Sequence, residues 1–389
     1  MPTPGTIAMD ARIYLDHNAT TRPAPEVVAA MADCLAHCWG NPSSAHRLGA
    51  AAKERLKLAR AQVAALLGAA AARIVFTASA TEANHMAILG ALAARPDKRH
   101  VVTSAVEHPA SRLLFRHLES RGVRVTTLGV DTAGRLDLAA LDAAIGDDTA
   151  LLSLMWANNE TGVLFPVAEI AAIARRRGVA FHCDAVQAAG RVPIDLAQLP
   201  VDLLTLSAHK FHGPKGIGAL CVRKDLALPP LVFGHQERGR RGGTENLPAI
   251  VGFGIAAQLA ARAATEDGPR IAALRDRLES GLRQRLPHTH IHGAAAGRLP
   301  NTSNLRFGTI DAEIVLDRLD RAGVCASSGS ACAAGGTEPS PVLLAMGQTR
   351  AEALAALRFS LGRDTSAADI DRVLALLPDI VRPLSGAAA

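Results

Sequence analysis

The sequence predicts an α/β protein: a large domain with a mostly parallel sheet flanked by helices, plus a smaller α+β domain. Three observations predict it. Short β-rich runs alternate with helical patterns from about Ala72 to Lys224, the order that lays strands side by side and covers both faces with helices. Near Thr265–Asp267 the pattern changes, and a long helical stretch opens a mixed region. At ~150 residues per domain, a chain of 389 residues has room for two to three domains.

Taken in order, the strand-like runs are Arg73–Ala78, His100–Val106, Arg124–Val130, Ala150–Ala157, Val179–Val186, Val201–Ser207 and Gly218–Arg223. Helical spacing separates several of them, as in Thr81–Ala94, Pro109–Arg121 and Val167–Arg177. After the change of pattern come a long helix, Pro269–Leu286, and strand-like Thr302–Phe307 and Ala356–Ser360. The expected division is a large domain over residues 16–264 and a small one over 1–15 and 265–389. No internal repeat and no low-complexity linker interrupts the chain.

Composition excludes several classes. Hydrophobic residues make up 49% and charged residues 20%, a globular balance that fits neither a disordered chain nor a small disulfide scaffold. No uncharged apolar run reaches the ~18 residues of a membrane span. The longest candidate, Leu247 to Ala261, is broken by Pro248, Gly252, Gly254 and Gln258. The first residues lack a basic segment followed by an apolar block, so no secretory signal is expected and the cytoplasm is the default compartment. The net charge of +6 argues weakly for nucleic acid, since stacking aromatics are only 3% of the chain. Lysine is scarce, with six among the 42 basic residues, which leaves few places for amine chemistry.

The cysteines Cys34, Cys38, Cys183, Cys221, Cys325 and Cys332 show no C-x-x-C pair, so a zinc ribbon is not expected. Cys34 and Cys38 read as one helix face, and Cys183 and Cys325 as packing residues. Ligands of open parallel sheets gather at the carboxyl ends of the strands. Here those ends are polar: Ser79-Ala80-Thr81, Glu107-His108, Asn158-Asn159-Glu160, Asp184 with Gln187, and Ser207 through Lys210. A lysine alone is a surface charge, a phosphate ligand or an imine former. Lys210 follows a strand whose predecessor ends at Asp184, and an aspartate beside a pyridine nitrogen makes the ring an electron sink. Lysine, aspartate and a hydroxyl-rich cup are what pyridoxal phosphate requires.

The sequence resembles the fold-type I pyridoxal-phosphate transferases of the class V aminotransferase group, and within it the cysteine desulfurases of the nitrogen-fixation type. The resemblance runs through YLDHNATT (Tyr14–Thr21), GNPSS (Gly40–Ser44), VEHPA, MWANNETG, DAVQAAGRVPIDL, SAHKFHGPKGIG, GHQERGRRGGTEN, SSGSAC and RFSLGR (Arg358–Arg363), nearly the whole chain. It implies that Lys210 anchors the coenzyme aldehyde, Asp184 pairs with the ring nitrogen and Gln187 with the ring hydroxyl. His108 would stack on the ring and move protons. Ala80, Thr81, Ser207 and His209 would cradle the phosphate, joined by Thr244 of a second subunit, so a homodimer is implied. Asn159, also counted as a cofactor contact, and Arg358 would hold the substrate carboxylate. A planar guanidinium suits that task.

Cys332 is the expected nucleophile. Ser327-Ser328-Gly329-Ser330-Ala331 before it and Ala333-Ala334-Gly335-Gly336 after it suggest an exposed loop. An unperturbed thiol is only ~3% thiolate at pH 7, so His108, the cofactor or the substrate is expected to help deprotonate it. The resemblance implies conversion of L-cysteine to L-alanine, with a persulfide left on Cys332 and its sulfur passed to an iron–sulfur scaffold or another acceptor protein. It extends to nitrogenase maturation and to Cys332 as a transient iron–sulfur ligand. The stretch from Ala333 to Met346 reads as a long loop. Competing readings are a selenocysteine lyase, another class V enzyme, or a basic RNA-binding scaffold. The chain departs from the family pattern at Ala78-Ser79, Ala208, Phe233 and His235, none of which removes a reactive group. Glu237 to Arg241 reads as a subunit-interface loop, His17 as structural or near the entrance, Lys215 as a phosphate-side or structural charge, and Glu160 as pinning a turn.

Overall fold

A computed structural model describes residues 12–328 and 338–385. Its strands are β1 (Ile13–Tyr14), β2 (Ile74–Thr77), β3 (His100–Ser104), β4 (Arg124–Leu128), β5 (Thr149–Met155), β6 (Ala180–Asp184), β7 (Leu203–Ser207), β8 (Gly218–Val222), β9 (Thr289–His292), β10 (Thr302–Phe307), β11 (Val324–Cys325), β12 (Ser327–Ser328) and β13 (Leu357–Ser360). Its helices are α1 (Pro25–His37), α2 (Arg47–Leu66), α3 (Ala80–Ala93), α4 (Pro109–Ser120), α5 (Leu138–Ala144), α6 (Val167–Arg177), α7 (Leu247–Glu266), α8 (Gly268–Arg285), α9 (Ala312–Arg321), α10 (Pro341–Ala345), α11 (Arg350–Leu354) and α12 (Ala367–Ser385). The runs read from the sequence lie within two residues of these bounds. One difference falls after Cys332, where the end of the expected loop is helix α10.

The main sheet has seven strands in the order β2-β8-β7-β6-β5-β3-β4. Neighbours from β7 to β4 are parallel, while β8 runs antiparallel to β7 and to β2. The reversal has a covalent cause. Only residues 208–217 join β7 to β8, and a parallel return needs a crossover of roughly a dozen or more residues. Strands β3, β5, β6 and β7 are buried along their whole length, with polar His100, Ser153, His182 and Thr205 buried too, as expected of strands covered on both faces.

Helix α3 opens where β2 ends. Ser79 Oγ accepts from Glu82 N at 3.1 Å, and a Glu82 carboxylate oxygen accepts from Ala78 N at 2.9 Å. That reciprocal cap fixes the first turn at the sheet edge. Helix α7 is long and apolar enough to cross a membrane by length and composition, more than its interrupted sequence suggests. In the fold it is a core helix, with Phe253, Ala256 and Ala257 fully buried against the layer that contains α1 and α2.

A second, antiparallel sheet has the order β12-β13-β10-β9, and β1 pairs in parallel with β11. Its core joins Leu15, Leu278, Leu282, Phe307, Leu319, Phe359 and Leu374. Leu299, Val342, Leu343 and Met346 pack instead into the core beneath the main sheet. The basic run Glu237–Arg241 turns inward. Arg60 grips both carboxylate oxygens of buried Glu237 at 2.6 Å, Arg238 donates to Ala72 O and Ile74 O, and Arg241 pairs with Glu82. Two of the four charges in this run, those of Glu237 and Arg241, are paired within the chain.

Candidate active site

A cavity of 580 Å³ opens at the edge where β2, β3, β5, β6 and β7 end. Ala80, Thr81, His108, Asn159, Asp184, Gln187, Ser207, His209, Lys210 and Arg358 all line it. Thr244 does not line it and lies exposed on the loop before α7. Cys332, with its proposed roles as nucleophile and transient cluster ligand, lies outside the described residues.

Lys210 ends a short helical turn that follows β7 directly. Its Nζ donates to Asn18 O at 2.6 Å and Ala19 O at 2.9 Å, so backbone carbonyls hold the amine inside the cavity. Asp184 is the last residue of β6 and is buried. Asn84 Nδ2 donates to its Oδ2 at 2.7 Å, and Val186 N donates to its Oδ1 at 3.0 Å. One donor on each oxygen fixes the orientation of the carboxylate at the cavity wall. The methyl of Ala208, an unusual residue for its motif, is accommodated because Gly213 carries none: a Cβ there would lie 2.7 Å from it.

His108 caps α4, and its Nδ1 accepts from Ala110 N at 3.1 Å. With Nδ1 engaged as acceptor, the proton of the neutral ring resides on Nε2. Burial, reinforced by the Lys210 charge, holds the imidazole below its ordinary value, although Asp184 opposes the shift. His209 lies beside Thr20 Oγ1 at 3.1 Å and is lowered to about 4, chiefly by burial and then by Lys210 and Lys215.

Arg358 reaches the cavity from β13 of the second sheet. Its side chain is 2% exposed, donating to Asp16 Oδ1 at 2.8 Å and Asn159 O at 3.1 Å. Its Nε has no hydrogen-bond partner among the described residues. Gln187 Nε2 donates to Asn18 O at 3.1 Å, and its Oε1 accepts from Arg191. Glu160 does not pin its turn. Asn158 Oδ1 does so by accepting from Glu160 N and Thr161 N, both at 2.9 Å, while the Glu160 carboxylate accepts from Ser340 Oγ. His17 packs edge-on against Tyr14 and beside His212, a structural place behind Lys210.

These residues fit pyridoxal phosphate. The amine and the carboxylate face one cavity, and the first N–H groups of α3 open the anion-binding end of a helix at its wall. Gly218 brings β8 against that wall: a Cβ there would lie 2.5 Å from Ser79 C and 2.7 Å from Ala80 N. Lys215 joins the same cavity. Three contributors were not singled out from the sequence: Asn18, Asn84 and Asp16. Asn84 stands ahead of the apolar run Met86–Ala93 of α3 among the polar residues Thr81, Glu82 and His85, so its sequence did not set it apart. Asn18 and Asp16 lay within the quoted motif YLDHNATT, but the cavity residues they hold, Asn159, Lys210 and Arg358, stand far along the chain.

The Aminotransferase class-V family matches residues 13–373. "Cysteine desulfurase 2" of Trichormus variabilis is 50% identical over 373 residues, covering 96% of this chain and 94% of that protein. A solved structure described as a NifS-like protein superimposes with a TM-score of 0.90 at 35% identity, covering 96% of this chain and all of the other. A second, described as SspA in complex with cysteine, gives 0.81 at 34% identity over 90% of this chain and 98% of the other. The cavity residues and the near full-length match agree: the chain belongs to the class V aminotransferase family, whose members depend on pyridoxal phosphate.

Proposed function

We propose that the protein is a cysteine desulfurase, converting L-cysteine to L-alanine and holding the sulfur as a persulfide on Cys332. The observation that supports this best is the meeting of Lys210, Asp184, His108 and Arg358 in one cavity. Similarity to proteins named cysteine desulfurases, and to one solved with cysteine, supports the substrate.

When bound, pyridoxal phosphate supplies an aldehyde for the substrate amine and a ring that draws electrons from the substrate carbon. Lys210 is its anchor, Asp184 holds a proton on the ring nitrogen, and Gln187 keeps one amide hydrogen for the ring hydroxyl. Ala80, Thr81, Ser207 and His209 receive the phosphate. Arg358 and Asn159 hold the substrate carboxylate. His108 and Lys210 move protons at the substrate carbons. The Cys332 sulfur attacks the substrate sulfur, so a carbon–sulfur bond breaks as a sulfur–sulfur bond forms. The thiol proton is balanced by one delivered to carbon, and no external oxidant is needed.

The rest of the reading concerns assembly. Thr244, exposed and away from its own chain's cavity, serves the phosphate of a second copy in a homodimer. The sulfur goes to an iron–sulfur scaffold or another acceptor in the cytoplasm, nitrogenase maturation being one destination, and Cys332 is a transient cluster ligand through its persulfide. The test is alanine release from L-cysteine, with mass spectrometry of the Cys332 peptide. Cys332→Ser should abolish both turnover and the persulfide while cofactor absorbance persists; full turnover in that variant overturns the reading.

A further inference from the structure

A second cavity, of 400 Å³, lies at the opposite end of the main sheet, where β6 and β7 begin and β8 ends. Arg73, Arg95, Arg175 and Arg223 line it, with Asp202 as the single carboxylate among the described residues. Asp202 is committed. Its Oδ1 pairs with Arg223 at 2.5 Å, and its Oδ2 accepts from Phe181 N at 2.8 Å. Arg73 donates to the carbonyls of Val222 and Val201, which fixes its guanidinium at the wall. Arg175 stands apart from its neighbours on α6: Arg176 and Arg177 both pair with Asp142, while Arg175 lines the cavity. Among the described residues, neither Arg95 nor Arg175 has a carboxylate within ion-pair distance.

We propose that this cavity binds a phosphate-bearing small anion through the forks of Arg95 and Arg175, beside the fixed charge of Arg73. Four guanidiniums against one carboxylate leave a net charge of +3. One phosphate monoester carries about −1.5 to −2 at neutral pH, so two linked phosphoryl groups match the charge. Planar forks bind phosphoryl oxygens in pairs, and two linked phosphoryl groups offer a pair to each of the two forks, which a single carboxylate ligand cannot. The volume falls in the range of small-molecule sites, roughly 300–1,000 Å³. The site is independent of the proposed reaction, because none of its lining residues also lines the catalytic cavity.

The test is titration calorimetry of the cofactor-loaded protein with sodium pyrophosphate at constant ionic strength, with cofactor absorbance confirming that the coenzyme stays in place. Saturable binding is expected, weakened at least tenfold in Arg95→Gln/Arg175→Gln, with turnover of L-cysteine unchanged. Arg175→Glu, a change at an exposed helix end that leaves the core intact, should abolish binding. A parallel titration with ADP distinguishes the source: tighter binding than pyrophosphate indicates a nucleotide, weaker binding the free anion, and either supports the site. Absence of saturable binding to both at millimolar concentration overturns the proposal, as does undiminished binding in the folded Arg175→Glu variant.

Discussion

Glu107 stands one position before His108, buried beneath the cavity. Its carboxyl is pushed from 4.5 to about 8, chiefly by lost hydration and further by Asp184. The fold therefore favours its protonated form. Its contribution to stability is complete below the unfolded value, falls as pH rises through the window from about 4.5 to 8, and is gone above it. Glu107→Gln keeps an acceptor for Ser104 Oγ and Met155 N without a titrating group. Urea unfolding should show the variant gaining roughly a few kcal/mol on the native protein between pH 5 and 8; a constant difference would mean that Glu107 does not titrate in that window. Arg358 supplies a second prediction. Arg358→Lys removes the fork while keeping charge, and a hydrogen bond to a charged group contributes about 1.5–3 kcal/mol. The KM for L-cysteine should rise about 10- to 100-fold, with cofactor absorbance unchanged; an unaltered KM would remove Arg358 from carboxylate binding. Lys210, Asp184 and His108 were legible because each stands at or just after the end of a strand in the sequence itself. Asp16 was not legible as the partner of Arg358, since a pairing across 342 residues leaves no local pattern.

At the scale of elements, the reversed strand β8 does two things. It closes the sheet between β7 and β2, and its first residue abuts the start of α3. Periodicity identified β8 as a strand but carried no direction; direction came from the short connection behind it. The close approach was also invisible in the sequence, where Gly218 is one glycine among 33. Gly218→Ala places a methyl against the backbone of Ser79 and Ala80, which cannot swing aside as a side chain would. Overpacking of this kind costs about 1–3 kcal/mol. Here the displaced atoms belong to the phosphate end of the proposed cofactor site, so pyridoxal phosphate affinity should fall more than global stability. Equilibrium dialysis of the coenzyme, paired with thermal unfolding, checks the ratio. Equal losses would make Gly218 a packing residue alone.

Across the whole molecule, Arg358 is carried by one sheet and Lys210 follows a strand of the other, so the cavity that both line depends on how two cores are joined. We propose the division read from the sequence, residues 16–264 against 1–15 and 265–389, with 342–346 as a tie packed into the first core. Leu278 of α8 offers a way to test it. It is fully buried in the second core, and neighbouring Gly281 lets α8 lie close on Leu374 of α12. Leu278→Ala removes buried methyl groups, and such changes cost about 2–5 kcal/mol. If the second core unfolds as its own unit, far-ultraviolet circular dichroism should show an early transition in the variant while cofactor absorbance persists to higher temperature. Substrate affinity should weaken before the cofactor leaves, because Arg358 belongs to the destabilised unit. A single transition, in which circular dichroism and cofactor absorbance fall together, would instead mean that the tie makes the two cores one cooperative body.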